Sequence, residues 1–209
     1  PRLCRCLEGA AARVGHCLGL HRCLLHPVVA LVPPERGSGV QLTGHGGPET
    51  LVWNDAIPVP PPAADEVLVR VLASGVNNTD INTRVGWYSR VVTGATDASG
   101  SGDVEAGGFA GALAFPLIQG GDLCGRVAVL GDGVTGPAVG SRVTCPINQP
   151  VPTPTNPVAF RVIGSDYDGA FAQYCVVPAD QLWDVSASPL TDVEIAAMPC
   201  AYGTAEGLL

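Results

Sequence analysis

Apolar and polar residues alternate in short runs along most of the chain, and this pattern predicts many short strands. The run DEVLVRVLAS places Val67, Val69 and Val71 on one face, as expected for a strand with one buried side. Six other runs are also strand-like: GVQLTG, ETLVWNDAIPVP, DLCGRVAVLG, SRVTC, GAFAQYCVVP and QLWDV. The pattern therefore predicts a mainly β domain over residues 38–209, with short helices and a helical C-terminal segment.

A helix is predicted near the C-terminus because the sequence there has residues that are typical of a helix N-terminus. In SPLTDVEIAAM, Ser188 and Pro189 are typical of a helix start, and Thr191 with Glu194 have the spacing of a capping box. Pro199 interrupts this helix, and AYGTAEGLL predicts the beginning of another.

Two segments read as loops. Residues 93–112 contain six glycines and almost no large apolar side chain, which predicts a long mobile loop that a protease would cut first. The segment PINQPVPTPTNP is rich in proline and predicts an extended loop.

Composition agrees with a β fold and excludes some functions. Among 209 residues, 27 are Gly and 19 are Pro, while only 14% are charged, a mixture that suits short strands and turns. The basic residues are all Arg, and the net charge of −8 argues against a nucleic-acid partner because such a surface repels phosphates. No apolar run reaches the ~18 residues of a membrane span, so no membrane partner is predicted.

Residues 1–37 differ from the rest and are predicted to be a leader outside the domain. Residues 1–36 hold five Arg against two Glu, four of the eight Cys and three of the four His. A disordered or spurious leader, an organelle transit peptide and a metal site all remain open, although no CxxC pair is present.

Several motifs then occur in a diagnostic order. They are LTGHGGPETLVW, GVNNTDINTRVGWY, PLIQGGDLCGRVAVLGDGV, GAFAQYCVVPADQLW and MPCAYGTAEGLL. Together they resemble the GroES-like N-terminal catalytic domain of the medium-chain dehydrogenase/reductase superfamily, over residues 38–209. The resemblance implies a distorted β-barrel-like fold normally followed by a Rossmann domain. The chain would then stop before its dinucleotide site, just beyond Thr204.

The resemblance also implies which branch of the superfamily is present. The three positions that hold catalytic zinc in the zinc branch are here Asn77, Gly121 and Cys200. Only Cys200 and the adjacent Asp122 offer a metal ligand, whereas a catalytic zinc needs about three. The four-cysteine structural zinc lobe is replaced by PINQPVPTPTNPVAF. Zinc is therefore not expected, and the zinc-free quinone oxidoreductase or enoyl reductase type is favoured.

By the same resemblance, the loop after the strand DEVLVRVLAS carries catalytic residues. Asn77 would face the nicotinamide and the substrate, and Thr79 would lie beside the reacting oxygen. Tyr88 would donate to a substrate carbonyl, with Trp87 beside it in the pocket wall. Asp80 either orients a ligand, as in the zinc branch, or caps the short helix TDINTR, and capping is slightly favoured.

The remaining implied positions concern the cofactor and the pocket. Asn78 and Thr204 would contact NAD(P)H, and Asp122 and Cys200 would line the substrate pocket. The match GDGVTG at Gly131 follows a strand but precedes no helix, so it predicts a turn instead of a nucleotide site.

Three cysteines occur singly in the strand-like runs. Cys124, Cys145 and Cys175 are predicted to be small buried residues, and their spacing suits a reducing compartment such as the cytoplasm.

The sequence thus predicts the catalytic domain of an NAD(P)H-dependent, zinc-free oxidoreductase that reduces a carbonyl or an activated alkene. The substrate would be a small molecule, and a homo-oligomer is expected only with the missing domain. A zinc alcohol dehydrogenase with altered ligands and a non-catalytic β-domain that acts as a binding scaffold are the alternatives.

Overall fold

A computed structural model of the protein describes residues 32–88 and 113–208. Most of the predicted leader and the whole glycine-rich segment 93–112 lie outside the described residues, so the predictions made for them stay predictions. The strands are β1 (Arg36–Leu42), β2 (Leu51–Pro58), β3 (Glu66–Ala73), β4 (Leu117–Ile118), β5 (Cys124–Leu130), β6 (Arg142–Thr144), β7 (Asn148–Pro150), β8 (Phe160–Val162), β9 (Tyr174–Pro178) and β10 (Trp183–Asp184). The helices are α1 (Asn78–Arg84), α2 (Asp192–Ala196) and α3 (Pro199–Glu206). The prediction of a mainly β domain with short helices is confirmed.

The largest sheet has five antiparallel strands in the order β10-β6-β5-β3-β9. Val67 and Val69 on β3 are fully buried, but Leu68 between them is buried as well, so β3 is covered on both faces where it begins. Val71 is only partly buried. The single buried face predicted for this strand was therefore too simple, because the strand lies near the middle of the domain and not at its surface.

A second sheet, in the order β2-β1-β4, is joined to the segment before β9 by backbone hydrogen bonds. The Val40 N–H donates to the Phe171 carbonyl at 2.8 Å, and the Gln173 N–H donates to the Ser38 carbonyl at 2.9 Å. Gly39 makes this approach tight, since a Cβ there would come within 2.7 Å of the Ala172 side chain.

Part of the proline-rich segment that was predicted to be a loop is a hairpin. Strands β7 and β8 pair with Asn148 opposite Val162, which is a correction to the sequence prediction. The hairpin packs on the core through Gln149, whose side chain is fully buried and accepts a hydrogen bond from the Tyr167 hydroxyl at 2.8 Å. Proline is tolerated in such short edge strands because it lacks only a donor.

The capping box predicted before α2 is confirmed. The Thr191 hydroxyl accepts the Glu194 N–H at 3.2 Å, and the Glu194 carboxylate accepts the Thr191 N–H at 2.8 Å. Helix α2 consequently begins at Asp192, not at the Ser188-Pro189 pair. Helix α3 begins at Pro199, because the backbone N–H that proline lacks has no hydrogen-bond partner within the helix at this first position.

The turn prediction for GDGVTG is also confirmed, since this segment leaves β5 and leads toward the antiparallel strand β6. The Gly131 N–H donates to the Glu66 carbonyl at 2.8 Å. A Cβ at Gly131 would overlap the Ala63 carbonyl oxygen, so only glycine fits this approach.

The three single cysteines are buried free thiols, as predicted. Burial raises the pKa of Cys124 to about 11 and that of Cys145 to about 12, and it also raises the pKa of Cys175 well above the ordinary thiol value. No helix in residues 32–88 and 113–208 combines the length and the apolar character needed to cross a bilayer.

Candidate functional site

Helix α1 follows β3 and is fixed at its start by Asp80. The Asp80 carboxylate accepts the backbone N–H of Asn77 at 2.8 Å and that of Gly120 at 3.2 Å. Asn77 stands at the position before the helix, so the capping role favoured for Asp80 is confirmed. The Gln119 side chain adds a bond to the Asp80 carbonyl at 2.8 Å, which ties α1 to the segment after β4.

The other end of α1 is held by the loop after β1. The His45 Nδ1 lies 2.9 Å from the Thr83 carbonyl, and since a carbonyl only accepts, Nδ1 carries the proton. The Arg84 side chain donates to the Gly46 carbonyl at 2.6 Å. Both ends of the helix are thus tied to other parts of the domain, which fixes the side chains that α1 presents.

A second carboxylate, Asp122, joins three segments behind α1. One oxygen accepts the Asn77 side-chain amide at 2.9 Å, and the other accepts the Cys200 N–H at the start of α3 at 2.7 Å. The Ser74 hydroxyl donates to the Asp122 carbonyl at 2.7 Å. Because a carboxylate accepts only, Asn77 must turn its NH₂ group toward Asp122.

The two carboxylates are buried close to each other. Asp80 is 8% exposed and Asp122 is 1% exposed. The pKa of Asp80 is raised to about 6, mainly by burial and to a smaller extent by the nearby Asp122, against the bonds from Asn77 and Gly120, which lower it. Asp80 therefore changes its protonation state in the mildly acidic range.

In front of α1 lies a cavity of about 250 Å³ between α1, the β7–β8 hairpin and α3. Four of the predicted site residues meet on it: Thr79, Tyr88, Cys200 and Thr204. The rest of the lining is mostly apolar, through Gly121, Ile147, Val162 and Ile163, with Asn148 and Ser165 as polar neighbours. Hydroxyl and thiol groups thus share a small space with aliphatic side chains.

The other predicted site residues do not line this cavity. Asp122 and Asn77 lie behind its wall and bond to each other, and Asn78 is exposed at the first position of α1. Trp87 packs edge-on against Tyr88, with their ring centres 5.3 Å apart. The predicted site residues thus divide into those that line the cavity and the pair Asn77 and Asp122, which lies behind it.

Residues 63–187 match the family model of the alcohol dehydrogenase GroES-like domain. The chain belongs to this family. Its membership places it in the medium-chain dehydrogenase/reductase superfamily, so the resemblance noted from the sequence motifs is confirmed.

Relatives of this GroES-like domain are longer proteins. L-threonine 3-dehydrogenase of Xanthomonas campestris pv. campestris (strain B100) is 31% identical over 171 residues, which are 74% of this chain and 42% of the relative. The structure of a protein from Sinorhizobium meliloti 1021, provisionally named an alcohol dehydrogenase, is 36% identical with a TM-score of 0.69. The match covers 85% of this chain and 47% of the Sinorhizobium chain. The structure of an NAD-dependent alcohol dehydrogenase is 27% identical with a TM-score of 0.60, and the match covers 78% of this chain and 43% of that enzyme. The chain spans somewhat under half the length of these relatives.

Asn77, Gly121 and Cys200, which the resemblance aligns with the zinc-branch ligands, differ in what they offer a metal. Gly121 has no side chain, and the space beside it is filled by Ile147. The Asn77 amide is bound to Asp122. Burial and the nearby Asp122 raise the pKa of the Cys200 thiol. Across the described parts of the chain, no group of three His, Cys, Asp or Glu side chains is placed to hold a metal ion.

Sequence reasoning missed the apolar wall of the cavity. Ile147 lies in the segment that was predicted to be a loop, Val162 ends β8 and Ile163 follows it, and no sequence motif marks them. The only signal was indirect, since this segment stands where the zinc branch has its four-cysteine lobe.

Proposed function

We propose that this chain is the catalytic domain of an NAD(P)H-dependent, zinc-free oxidoreductase that reduces a carbonyl or an activated alkene. The observation that carries the proposal is the pair Gly121 and Ile147. Together they put aliphatic carbon where a zinc-dependent relative would need an imidazole, next to a cavity bordered by hydroxyl groups. The names of the relatives, L-threonine 3-dehydrogenase and NAD-dependent alcohol dehydrogenase, support nicotinamide-dependent redox chemistry.

The residues of the domain would orient the substrate and supply a proton. When bound, NAD(P)H supplies the hydride, and Asn78 and Thr204 would hold its nicotinamide end. Among the hydroxyl groups of the lining, those of Thr79 and Tyr88 would donate to a substrate oxygen, and Asp80 fixes the start of the helix that carries Thr79. The single Thr79 hydroxyl hydrogen is shared with the Cys200 side chain, an interaction that opposes the rise in the Cys200 pKa, and it would turn to the substrate oxygen when substrate binds.

Asn77 has a supporting role in this proposal. One of its amide hydrogens is committed to Asp122, and its backbone N–H is committed to Asp80. Its second amide hydrogen is left to contact a carbonyl, while the two carboxylates keep the start of α1, which carries Thr79, in place.

Two other functions give different results in one experiment. A zinc alcohol dehydrogenase with altered ligands would need stoichiometric metal, and a binding scaffold would show no turnover. The test uses the full-length gene product, with NADPH or NADH and either a ketone or an enone as substrate.

We expect NAD(P)H oxidation that persists in the presence of a chelator, with far less than one zinc per chain by mass spectrometry. Thr79→Val should lower kcat on the order of 10²-fold, because it removes a proton donor without changing side-chain volume. Thr135→Val, in the exposed turn after β5, is the matched control and should leave kcat unchanged. One zinc per chain that is lost in Cys200→Ala or Asp122→Ala would favour the zinc enzyme, and absence of turnover with every substrate would favour the scaffold.

A further inference from the structure

A groove of about 520 Å³ lies beside strand β9, and we call it the β9 groove. It is lined by Gly37 and Ser38 of β1, by residues 58–61 at the end of β2 and after it, and by residues 174–176 of β9. It shares no lining residue with the cavity in front of α1. The β9 groove is therefore a separate surface, next to the point where the first strand of the domain begins.

The backbone of β9 is open toward this groove. Across residues 32–88 and 113–208, β9 pairs with β3 alone, so it is an edge strand. The Ala179 N–H donates to the Asp65 carbonyl at 2.9 Å. Bonded positions alternate along an antiparallel pair, so Val177 and Cys175 also bond to β3, whereas Val176 directs its N–H away from it. Val176 lines the groove, and its edge can accept a further strand.

The side chains of the β9 groove select the kind of segment that could add to this edge. Most of the lining is proline or aliphatic, which suits an apolar segment. Its charged side chains are acidic, Glu66 and Asp168, and no Arg or His is among the lining residues. The groove therefore favours an extended apolar segment that is accompanied by positive charge.

The part of the chain that precedes β1 has this composition. Residues 27–32 read PVVALV, an uncharged run in which three of six residues are valine, a residue enriched in strands. Residues 1–31 contain four Arg and one Glu, for a net charge of +3. The apolar run and the basic residues match the apolar and acidic character of the groove.

The same segment is tethered beside the groove. The Val59 N–H donates to the Glu35 carbonyl at 3.0 Å, and Val59 is one of the lining residues. Leu31 is six positions before Gly37, which also lines the groove. Six residues span at most ~20 Å, so the apolar run is within reach. Val32, at its end, is 88% exposed and has no packed position of its own.

We propose that residues 28–31 bind in the β9 groove as an added strand and bond to the backbone of Val176. The segment before β1 thereby covers the free edge of β9 in the same chain. A tethered segment binds at a high effective concentration, so a short strand is sufficient. This inference does not depend on the proposed function.

The test uses the 209-residue chain with its six isoleucines labelled at the δ1-methyl group for NMR. Ile57 and Ile118 line the β9 groove, and the other four isoleucines do not. Val29→Asp puts a carboxylate next to an acidic, apolar surface, so it should release the segment and shift the Ile57 and Ile118 signals alone. Val14→Asp makes the same change outside the proposed strand and is the matched control; it should shift none of the six.

Hydrogen exchange of the Val176 amide gives a second measurement. This amide should exchange on the order of tenfold faster in Val29→Asp than in the unmodified chain, because it loses a strand partner. The Val177 amide bonds to β3 and is the internal reference, with the same slow exchange in both chains.

A synthetic peptide with residues 22–32 tests occupancy directly. It should move the Ile57 and Ile118 signals of Val29→Asp back toward those of the unmodified chain. In the unmodified chain the peptide should change neither signal, because the groove is already filled.

Three results would overturn the proposal. The first is that Ile57, Ile118 and the Val176 amide behave alike in Val29→Asp and the unmodified chain. The second is a dimer in analytical ultracentrifugation that Val29→Asp dissociates, which would place the segment in the groove of a second copy. The third is that the peptide shifts Ile57 and Ile118 in the unmodified chain, which would show an empty groove. If Val29→Asp does not fold, Val29→Gly removes only the side-chain contacts and decides by the same measurements.

Discussion

Asp80 and Asp122 are two buried carboxylates that differ in what they hold together. Asp80 accepts the N–H of Asn77, three residues before it in the chain, and this local spacing made its capping role predictable. Asp122 accepts from Asn77 and Cys200, which are 45 and 78 residues away. No sequence pattern signals such a contact, so Asp122 was predicted to line a pocket although it lies behind one.

The raised pKa of Asp80 leads to a prediction about stability and pH. The unfolded carboxyl group titrates near pH 3.8 and the folded one near pH 6. Between these values the folded chain keeps a proton that the unfolded chain has lost, so the free energy of unfolding decreases as pH rises from about 4 to about 6, by at most about 3 kcal/mol. We expect Asp80→Asn to remove this part of the slope, as measured by urea unfolding at several pH values.

The comparison with Asp80→Asn isolates this one group. Burial also raises the pKa of Asp166 and Asp168, so some slope should remain in the variant. An identical pH dependence in the variant and the unmodified protein would show that Asp80 is already ionised at pH 4.

Among the elements, strands with alternating or apolar runs were found from the sequence, and the β7–β8 hairpin was not. Its strands are three residues each and contain Pro150, which weakens a strand signal. The pairing depends on Gln149 being buried against Tyr167, which is a tertiary contact. This is also the element that supplies the apolar wall of the cavity, so the missed hairpin and the missed site residues have one cause.

The turn between β5 and β6 allows a direct test at the scale of an element. Gly131→Ala should lower the free energy of unfolding by roughly 1–3 kcal/mol, because the added methyl group meets the Ala63 carbonyl in a packed region. Gly136→Ala, in the same connection, is the matched control, since the nearest atoms to its added Cβ are 3.7 Å and 3.9 Å away. Urea unfolding of both variants is the measurement. Equal stabilities would mean that the segments that carry Gly131 and Ala63 move apart easily.

For the whole molecule, the described residues contain no nucleotide motif in the right setting. The GDGVTG match is a turn between two strands, whereas a dinucleotide site needs a glycine-rich turn between a strand and a helix. We expect the 209-residue chain by itself to bind NADPH and NADH no better than millimolar, as measured by calorimetry. Micromolar affinity would contradict this and would direct attention back to Gly131 and Gly133, whose replacement should then abolish binding.

The sequence alone determined the β class, the capping of α1 and α2, the turn at Gly131, the burial of single cysteines and the family. Each of these depends on residues within a few positions of one another or on the order of motifs along the chain. The tertiary structure decided that Asn77 bonds to Asp122, that Ile147 fills the space beside Gly121, and that Thr79, Tyr88, Cys200 and Thr204 meet on one cavity. These contacts join residues that are tens of positions apart, and only the packing of the sheets and the hairpin brings them within bonding distance.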